Sequence, residues 1–287
     1  MKIGIGLPAT IPGVEGPTIL EWARRADAGP FSSLGIIDRL VYPNYEPLIT
    51  LAAVAAATQR IRLMTTVLVA LLRNAGVLAK QAASLDALSG GRLTLGLGIG
   101  GREDDFHAAP APFKDRGRRF EEQLDWMYRV WAGQPLAQDV GTVGPPPACA
   151  GGPEVLIGGY SPVAVRRLGR WGDGYIAGGG DPAQVRQLYA IAEEAWQAGG
   201  RTGKPRLVGA IYCALGPNAA ERAAVYIRHY YAFLGPNVER RANAIPATAP
   251  QIRAAIKVFS DLGTDELILW PCIAELDQVE RFADLVD

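Results

Sequence analysis

The chain has 287 residues, with 29 basic and 29 acidic side chains and no formal net charge. Apolar residues make up 49% and charged residues 20%, which is typical of a globular protein and excludes a disordered or collagen-like chain. The zero net charge argues against a protein that binds nucleic acid through bulk electrostatics. The 34 glycines exceed an ordinary share and predict many tight turns or close backbone–ligand approaches.

The three cysteines lie far apart, so neither a disulfide framework nor a metal site follows from them. The apolar run within 1–8 is too short for the core of a secretion signal. The most apolar stretch, 61–72, is too short to span a bilayer. The sequence therefore predicts a cytoplasmic protein with no membrane, metal or nucleic-acid partner.

Short β-branched segments alternate with longer helical segments along the chain. Strands are predicted at 2–7, 34–38, 61–69, 93–97, 155–157, 174–177, 207–214 and 266–270. Helices are predicted at 18–25, 46–59, 76–88, 118–131, 162–171, 182–198, 218–233, 249–262 and 276–285. Thr18 and Glu21 form a candidate capping box at the start of the first helix.

Eight strands that are each followed by at least one helix predict a parallel sheet. Over this length they favour an α/β fold, a single (β/α)8 TIM barrel that takes residues 1–287 as one domain. The alternative is an open, doubly wound sheet. It is disfavoured because Gly4 and Gly6 in the first strand are not followed by the third glycine of a dinucleotide-binding turn.

In such a barrel the active site lies at the carboxyl ends of the strands. Three of these ends carry glycine clusters, at 98–101, 158–159 and 178–180. The second and third clusters each precede a helix, so their N–H groups and the helix dipoles predict a phosphate site that needs no lysine. The alternative is that the glycines serve only the tight turns.

Few side chains near the strand ends are suited to acid–base chemistry. Asp38 ends the second strand, where it either caps the next turn or binds a polar edge of a ligand. Arg39 either pairs with Asp38 or faces an anionic ligand group. His107 lies in a charged loop and His229 in a helix, and two histidines without metal-ligand spacing do not favour a hydrolase or a metalloenzyme. We therefore expect a cofactor to supply the chemistry.

Four segments of the chain carry recognisable motifs. The most specific is the run SLDALSGGR at 84–92, within 78–98; the others are 113–117 with the helix after it, 157–159 with 169–175, and 263–269. Together, and in the same order, they resemble the bacterial luciferase-like flavin-dependent oxidoreductases. The resemblance implies a (β/α)8 barrel that uses reduced FMN or the deazaflavin F420, either for monooxygenation with O2 or for hydride transfer.

The resemblance also implies roles at individual strand ends. It places Asp38 beside the flavin ring and Thr66 and Val67 behind it, with a cis peptide bond between these two. The expected cofactor-binding residues are Asp38, Thr66, Val67, Gly98, Gly100, Asp104, Gly158, Gly159, Tyr160, Gly178 and Gly179. The candidate catalytic residues are Asp38, Arg39 and His107. The candidate pocket walls are Leu7, Tyr42, Phe106, Tyr160, Tyr212 and Trp270.

The chain departs from the family pattern at four positions. Arg39 stands where many relatives have His, and Asp104 where many deazaflavin members have Asn. Gly101 and Asp181 stand where the deazaflavin sugar dehydrogenases have Glu and Lys. These differences weaken a sugar-phosphate dehydrogenase and leave FMN and F420 both open.

We expect a flavin-dependent monooxygenase that acts on a small organic substrate and is served by a separate flavin reductase. The alternatives are an F420-dependent hydride-transfer enzyme without O2, a non-catalytic flavin-binding barrel, and a lyase or isomerase acting on a phosphorylated substrate. The resemblance further implies a homodimer formed through the early helices, where 52–57 is rich in alanine.

Overall fold

The computed structural model describes residues 1–286. Eight parallel strands close into a barrel in chain order. They are β1 (Lys2–Gly6), β2 (Ser33–Ile36), β3 (Arg62–Val69), β4 (Leu93–Gly98), β5 (Glu154–Gly158), β6 (Gly174–Ile176), β7 (Arg206–Cys213) and β8 (Glu266–Pro271). Because β8 also pairs with β1, the predicted (β/α)8 barrel is confirmed and the open sheet is excluded.

Helices connect the strands and form the outer layer. They are α1 (Gly16–Ala28), α2 (Pro47–Ala57), α3 (Ala75–Leu88), α4 (Glu103–Ala108), α5 (Arg116–Trp131), α6 (Pro162–Arg166), α7 (Leu168–Trp171), α8 (Pro182–Ala198), α9 (Ala219–Tyr230), α10 (Val238–Ala242), α11 (Ala249–Asp261) and α12 (Asp277–Ala283). Two 3₁₀ segments, Ala70–Leu72 and Ala232–Asn237, follow β3 and α9. Within the described part of the chain, no helix combines the length and the apolar character needed to cross a membrane.

The strands are buried on both faces because one face lines the barrel interior and the other packs against the helices. All six residues of β4 are buried, which explains its nearly continuous apolar sequence. The outer helices bury a single stripe. In α5 that stripe contains Phe120, Leu124, Met127 and Trp131, as their spacing predicts.

Charged and hydroxyl side chains fill the amino-terminal end of the barrel interior. Arg206 of β7 pairs with both Glu154 of β5 and Glu266 of β8. Ser33 of β2 donates a hydrogen bond to Glu266 at 2.6 Å. The pairs β5–β7 and β2–β8 are not neighbours in the sheet, so these contacts cross the interior. The polar cluster therefore closes this end and leaves the opposite end for a ligand.

The structure corrects the predicted start of the first helix. α1 begins before Thr18, with Glu15 at its N-cap, so the predicted capping box is wrong. Pro17 lies in the first turn, where its fixed φ suits a helix start. The Glu21 carboxylate instead pairs with Arg25 at 3.1 Å on the outer surface.

Other corrections concern the carboxyl end of the barrel. The predicted helix 162–171 is two short helices, α6 and α7, that meet at Arg167. The helix predicted to reach Phe233 ends at Tyr230, and the 3₁₀ segment that follows turns at Gly235, whose φ is +56°. α4 and α10 were not predicted. The start of α6 and the 3₁₀ segment after α9 border the candidate site.

Candidate active site

A cavity of about 600 Å³ opens at the carboxyl ends of the strands, the end where barrel enzymes carry their active sites. Its wall is built from the ends of β2 to β8 and from the segment after α9. It is lined by Ile37, Asp38, Thr66, Val67, Val69, Gly98, Ile99, Gly100, Gly101, Arg102, Gly158, Gly159, Tyr160, Ser161, Ala164, Gly178, Gly179, Ala210, Tyr212, Tyr230, Tyr231, Phe233 and Trp270.

The structure brings most of the predicted site residues together at this cavity. Every predicted cofactor-binding residue except Asp104 lines it, and so does one predicted catalytic residue, Asp38. His107 is exposed on α4, and Arg39 does not reach the cavity. Among the expected wall residues, Tyr160, Tyr212 and Trp270 line the cavity, whereas Leu7, Tyr42 and Phe106 do not.

Val67 forms part of the cavity wall at an irregularity in β3. The register between β3 and β4 shifts here, and the Thr66–Val67 peptide bond is cis, as the resemblance implies. The Val67 side chain occupies space that two glycines leave free. A Cβ on Gly98 would lie 2.9 Å from a Val67 methyl carbon, and one on Gly158 would lie 2.6 Å away. These glycines therefore make room for the wall.

Asp38 is buried, and the protein occupies both of its carboxylate oxygens. Oδ2 accepts hydrogen bonds from Arg73 Nη1 at 2.6 Å and from the Val69 N–H at 2.8 Å. Oδ1 accepts from Arg73 Nη2 at 3.2 Å, and Arg73 also pairs with Glu46 at 2.8 Å. The carboxylate is thus neutralised and fixed by Arg73, so Asp38 is not a free base.

Arg39 is directed away from Asp38. Its guanidinium carbon lies 4.6 Å from the centre of the Tyr42 ring and 5.7 Å from that of Tyr230. The nearest carboxylate oxygen belongs to Asp104, at 4.0 Å. The hypothesis that Arg39 pairs with Asp38 is therefore wrong. Asp38 pairs with Arg73, whereas Arg39 packs against Tyr42.

The turns after β5 and β6 present unpaired backbone N–H groups to the cavity. Among the described residues, no protein acceptor receives the N–H groups of Gly159, Tyr160 and Ser161, or those of Gly178 and Gly179. Donors that converge from two neighbouring turns form a concavity suited to a phosphate. α6, after the first turn, has only five residues and contributes a small dipole, whereas α8, after the second turn, has 17.

A cationic side chain stands beside the second turn, where we expected backbone alone. Arg241 of α10 donates a hydrogen bond to the carbonyl oxygen of Gly179 at 3.0 Å. Its guanidinium lies over the Tyr231 ring, 4.1 Å from the ring centre. This contact could not be predicted from the sequence, because Arg241 and Gly179 are 62 positions apart.

Tyr160 links the two glycine turns. Most of its ring is exposed towards the cavity opening, with a relative accessibility of 60%. Its hydroxyl is enclosed against Gly178, where a Cβ would find no room. Burial of the hydroxyl raises the pKa of Tyr160 to about 12, so this side chain stays neutral at physiological pH.

A chain of hydrogen-bonded hydroxyls reaches the cavity from α10. Arg241 Nη2 donates to Tyr231 Oη at 3.3 Å, and Tyr231 Oη donates to Tyr212 Oη at 3.1 Å. Burial raises the pKa of Tyr212 well above its usual value. Within residues 1–286 no protein group accepts the Tyr212 proton. A buried donor needs a partner, so this O–H is available to a ligand.

Three aromatic residues of the wall were not predicted. Tyr230, Tyr231 and Phe233 line the cavity, although the sequence places them in a helix that packs on the barrel. The helix ends at Tyr230, and the following rings turn towards the opening. The crowding of Tyr226, Tyr230 and Tyr231 was a usable signal, because adjacent positions do not share one helix face.

A larger opening of about 1010 Å³ lies outside the barrel, between α5, α7 and α8. Its wall includes Arg170, Trp171 and Arg201, and none of the carboxyl ends of the strands. Sites in barrel enzymes are built from those ends. The cavity inside the barrel mouth is therefore the candidate active site, despite its smaller volume.

Comparison with known proteins identifies the family of the chain. The family model described as luciferase-like monooxygenase matches residues 1–283. The chain is 30% identical to an uncharacterized protein of Mycobacterium tuberculosis over 207 residues, 63% of this chain and 72% of that protein. It is 29% identical to the F420-dependent glucose-6-phosphate dehydrogenase of Nocardia farcinica over 214 residues, 69% of this chain and 59% of that enzyme.

Two solved structures share the fold along almost the whole chain. The monooxygenase RslO1 from Streptomyces bottropensis has a TM-score of 0.79 at 21% identity, covering 99% of this chain and 97% of its own. An F420-dependent secondary alcohol dehydrogenase in complex with an F420-acetone adduct has a TM-score of 0.81 at 18% identity, with the same coverage. At these identities the likeness concerns the fold.

Proposed function

The chain belongs to the luciferase-like monooxygenase family, and on that premise we propose that it transfers hydride between F420 and a small carbonyl or alcohol substrate. The observation that carries this proposal is that Tyr212 lines the cavity and that no group within residues 1–286 accepts the proton of its hydroxyl. The F420-dependent glucose-6-phosphate dehydrogenase among the relatives supports the choice of cofactor.

The cavity fits a flavin-type cofactor. The free N–H groups after β5 and β6 would hold its phosphate, and Val67 would lie behind its ring. The cavity volume of about 600 Å³ is within the usual range for cofactor and ligand sites. When bound, F420 supplies a hydride donor or acceptor, a chemistry that no amino-acid side chain provides.

Tyr212 is suited to carry the proton of this reaction. Reduction of a carbonyl places negative charge on its oxygen as the hydride reaches its carbon. An alkoxide is more basic than a tyrosinate, so the Tyr212 proton moves to the substrate oxygen as that charge develops. Tyr231 is hydrogen-bonded to Tyr212 and partly exposed, so it returns a proton from solvent. In alcohol oxidation the same protons move in reverse.

The available Tyr212 hydroxyl favours hydride transfer over monooxygenation. Hydride transfer to a carbonyl is helped by a proton donor at the carbonyl oxygen. Tyr212 lines the cavity, and within residues 1–286 no protein group accepts its proton. A separate reductase or dehydrogenase would regenerate the cofactor.

The cofactor is tested by titrating the purified protein with F420 and with FMN while cofactor fluorescence is followed. We expect saturable, micromolar binding of F420 and weaker binding of FMN. Tight binding of reduced FMN with O2 consumption and an oxygenated product would support the monooxygenase instead. Binding of neither cofactor would exclude both. F420 binding without turnover of any ketone or alcohol, whether neutral or carrying a carboxylate, would indicate a non-catalytic barrel.

The role of Tyr212 is tested by Tyr212→Phe, which should lower hydride transfer by about 10²–10⁴-fold and leave F420 affinity unchanged. Tyr226→Phe is the matched control. It also removes a buried hydroxyl of the same tyrosine cluster, but that hydroxyl bonds Thr10 Oγ1 at 2.6 Å and does not line the cavity. Equal losses in the two variants would show a structural effect and contradict the assignment.

We also propose a homodimer that covers the outer faces of α2 and α3. Ile49 and Val77 are 68% and 55% exposed, and Ala53 and Ala56 of α2 also face solvent. Exposed apolar side chains grouped on two packed helices are typical of an interaction site. Light scattering should give a dimer that Ile49→Glu dissociates. Val225→Glu, at a 61% exposed site on α9, should leave it intact. A monomeric wild type would contradict the proposal.

A further inference from the structure

Arg102 is a cation that the protein itself does not neutralise. It follows β4, and among the described residues it is the only lysine or arginine that lines the cavity. The only acid in the wall is Asp38, and Arg73 already pairs with it at 2.6 Å. The cavity wall therefore carries one cationic side chain, Arg102, that forms no ion pair with the described residues.

The guanidinium of Arg102 makes no hydrogen bond or ion pair with any residue within 1–286. Its Nη1 is shielded from water and has no acceptor. The neighbouring carboxylates are engaged elsewhere: Asp105 accepts the N–H groups of Leu40 and Val41 at 3.1 and 2.7 Å, and Asp104 lies 4.0 Å from Arg39. Buried donors and charges are normally paired. The guanidinium of Arg102 is therefore available to bind an acceptor group of a ligand.

Aromatic rings hold the Arg102 guanidinium in place. Its carbon lies 3.7 Å from the centre of the Phe233 ring and 5.6 Å from that of Tyr230. Stacking of this kind fixes a guanidinium while leaving its edge free for a planar anion. Burial, together with the nearby Arg39 charge, lowers the pKa of Arg102, and the more distant charges of Asp105 and Asp104 offset this only in part.

Arg102 and the phosphate turns lie at different strand ends. Arg102 follows β4, and the rings of Phe233 and Tyr230 flank its guanidinium. The phosphate turns follow β5 and β6, where Arg241 supplies the nearby cation. Arg102 is therefore a second cation, distinct from the one that contacts a phosphate turn.

We propose that Arg102 binds a carboxylate of the substrate, so that the substrate is an organic acid whose apolar body lies beneath Tyr230 and Phe233. This inference deepens the hydride-transfer function proposed above, because it names the class of the substrate. Arginine suits this role because its planar fork of N–H donors matches a carboxylate. It also accounts for the lack of any protein acceptor for Arg102.

The test uses the protein without cofactor, so it does not depend on the proposed reaction. Binding of benzoate, 2-naphthoate and hexanoate is compared by calorimetry with that of benzamide, 2-naphthamide and hexanamide. We expect at least one acid to bind about ten-fold more tightly than its amide, which corresponds to about 1.4 kcal/mol. Arg102→Met keeps an apolar stem against Phe233 and should abolish this preference. Unchanged thermal unfolding confirms that the variant folds.

Arg170→Met is the matched control, since Arg170 also stacks on an aromatic ring, 4.3 Å from the centre of Trp171, but outside the cavity. It should keep the preference for acids. Equal binding of acids and amides by the wild type, binding of none of the probes at millimolar concentration, or a preference that survives in Arg102→Met would overturn the proposal. A second arm compares FMN with riboflavin: if Arg102→Met removes a preference for FMN, the anion belongs to the cofactor phosphate and the substrate assignment fails.

Discussion

Replacing Gly158 by alanine tests whether the space beside Val67 sets the shape of the cavity. The new Cβ would lie 2.6 Å from Val67 Cγ1 and 3.4 Å from Ile176 Cγ2. Ordinary contact begins at 3.4 Å, so Val67 or β5 must move. Overpacking of this kind costs about 1–3 kcal/mol of unfolding free energy, which corresponds to a fall of about 2–10 °C in Tm.

The same shift should weaken cofactor binding, because Val67 would back the ring and the adjacent turn would hold the phosphate. Urea unfolding measures the stability change, and an F420 titration measures the affinity. Gly101→Ala is the matched control, since Gly101 also lines the cavity but has no atom within 4 Å of a new Cβ. If Gly158→Ala matched Gly101→Ala in both stability and affinity, the close packing at Val67 would not control the cavity.

Three further predictions concern the charged groups of the barrel. Asp38→Asn should lower the free energy of unfolding by about 1.5–3 kcal/mol, since it weakens charge-assisted hydrogen bonds; an unchanged urea midpoint would contradict the structural role of the Arg73 pair. Glu266→Gln should cost about 3 kcal/mol by leaving Arg206 with one partner but should not change F420 affinity, because it lies at the closed end of the barrel. Burial opposes ionisation of Glu154, but the charge and hydrogen bond of Arg206, together with the Thr94 hydrogen bond and the Arg62 charge, outweigh it and lower the pKa of this carboxyl. The ionised Glu154 carboxylate therefore stabilises the folded state fully above pH 4.5, the pKa of a glutamate in the unfolded chain. This stabilisation is lost as the pH falls below that value. Urea titrations at several pH values should show that the free energy of unfolding falls less steeply with acidification in Glu154→Gln than in the wild type.

The barrel could be predicted because each of its strands and helices is signalled by a short, continuous stretch of sequence. Each strand is a short apolar run between turn residues, and β4, buried on both faces, shows this most clearly. The glycine turns after β5 and β6 could be found in the same way, since a strand end followed by glycines is visible in the sequence. The start of α1 was misplaced because Pro17 and the Thr18–Glu21 pair both indicate a helix start, and the proline position is the one used.

The site residues that escaped prediction depend on contacts between distant segments. Arg73 pairs with Asp38 across 35 positions, and Arg241 reaches the turn at Gly179 across 62. No spacing rule connects such positions, because their proximity arises only when the barrel closes. The charge of Arg102 illustrates the same limit: the sequence places three acids directly after it, yet none pairs with it in the structure.

The sequence by itself determined the parallel barrel, the strand ends that carry the site and the glycine turns suited to a phosphate, since all of these follow from hydrophobic period and turn chemistry. Only the tertiary structure decided which side chains are free to react. It showed that Asp38 is paired with Arg73, and that among residues 1–286 Tyr212 has no acceptor for its proton and Arg102 forms no ion pair. A side chain's availability depends on which partners it has met in space, and that is settled by the closed fold.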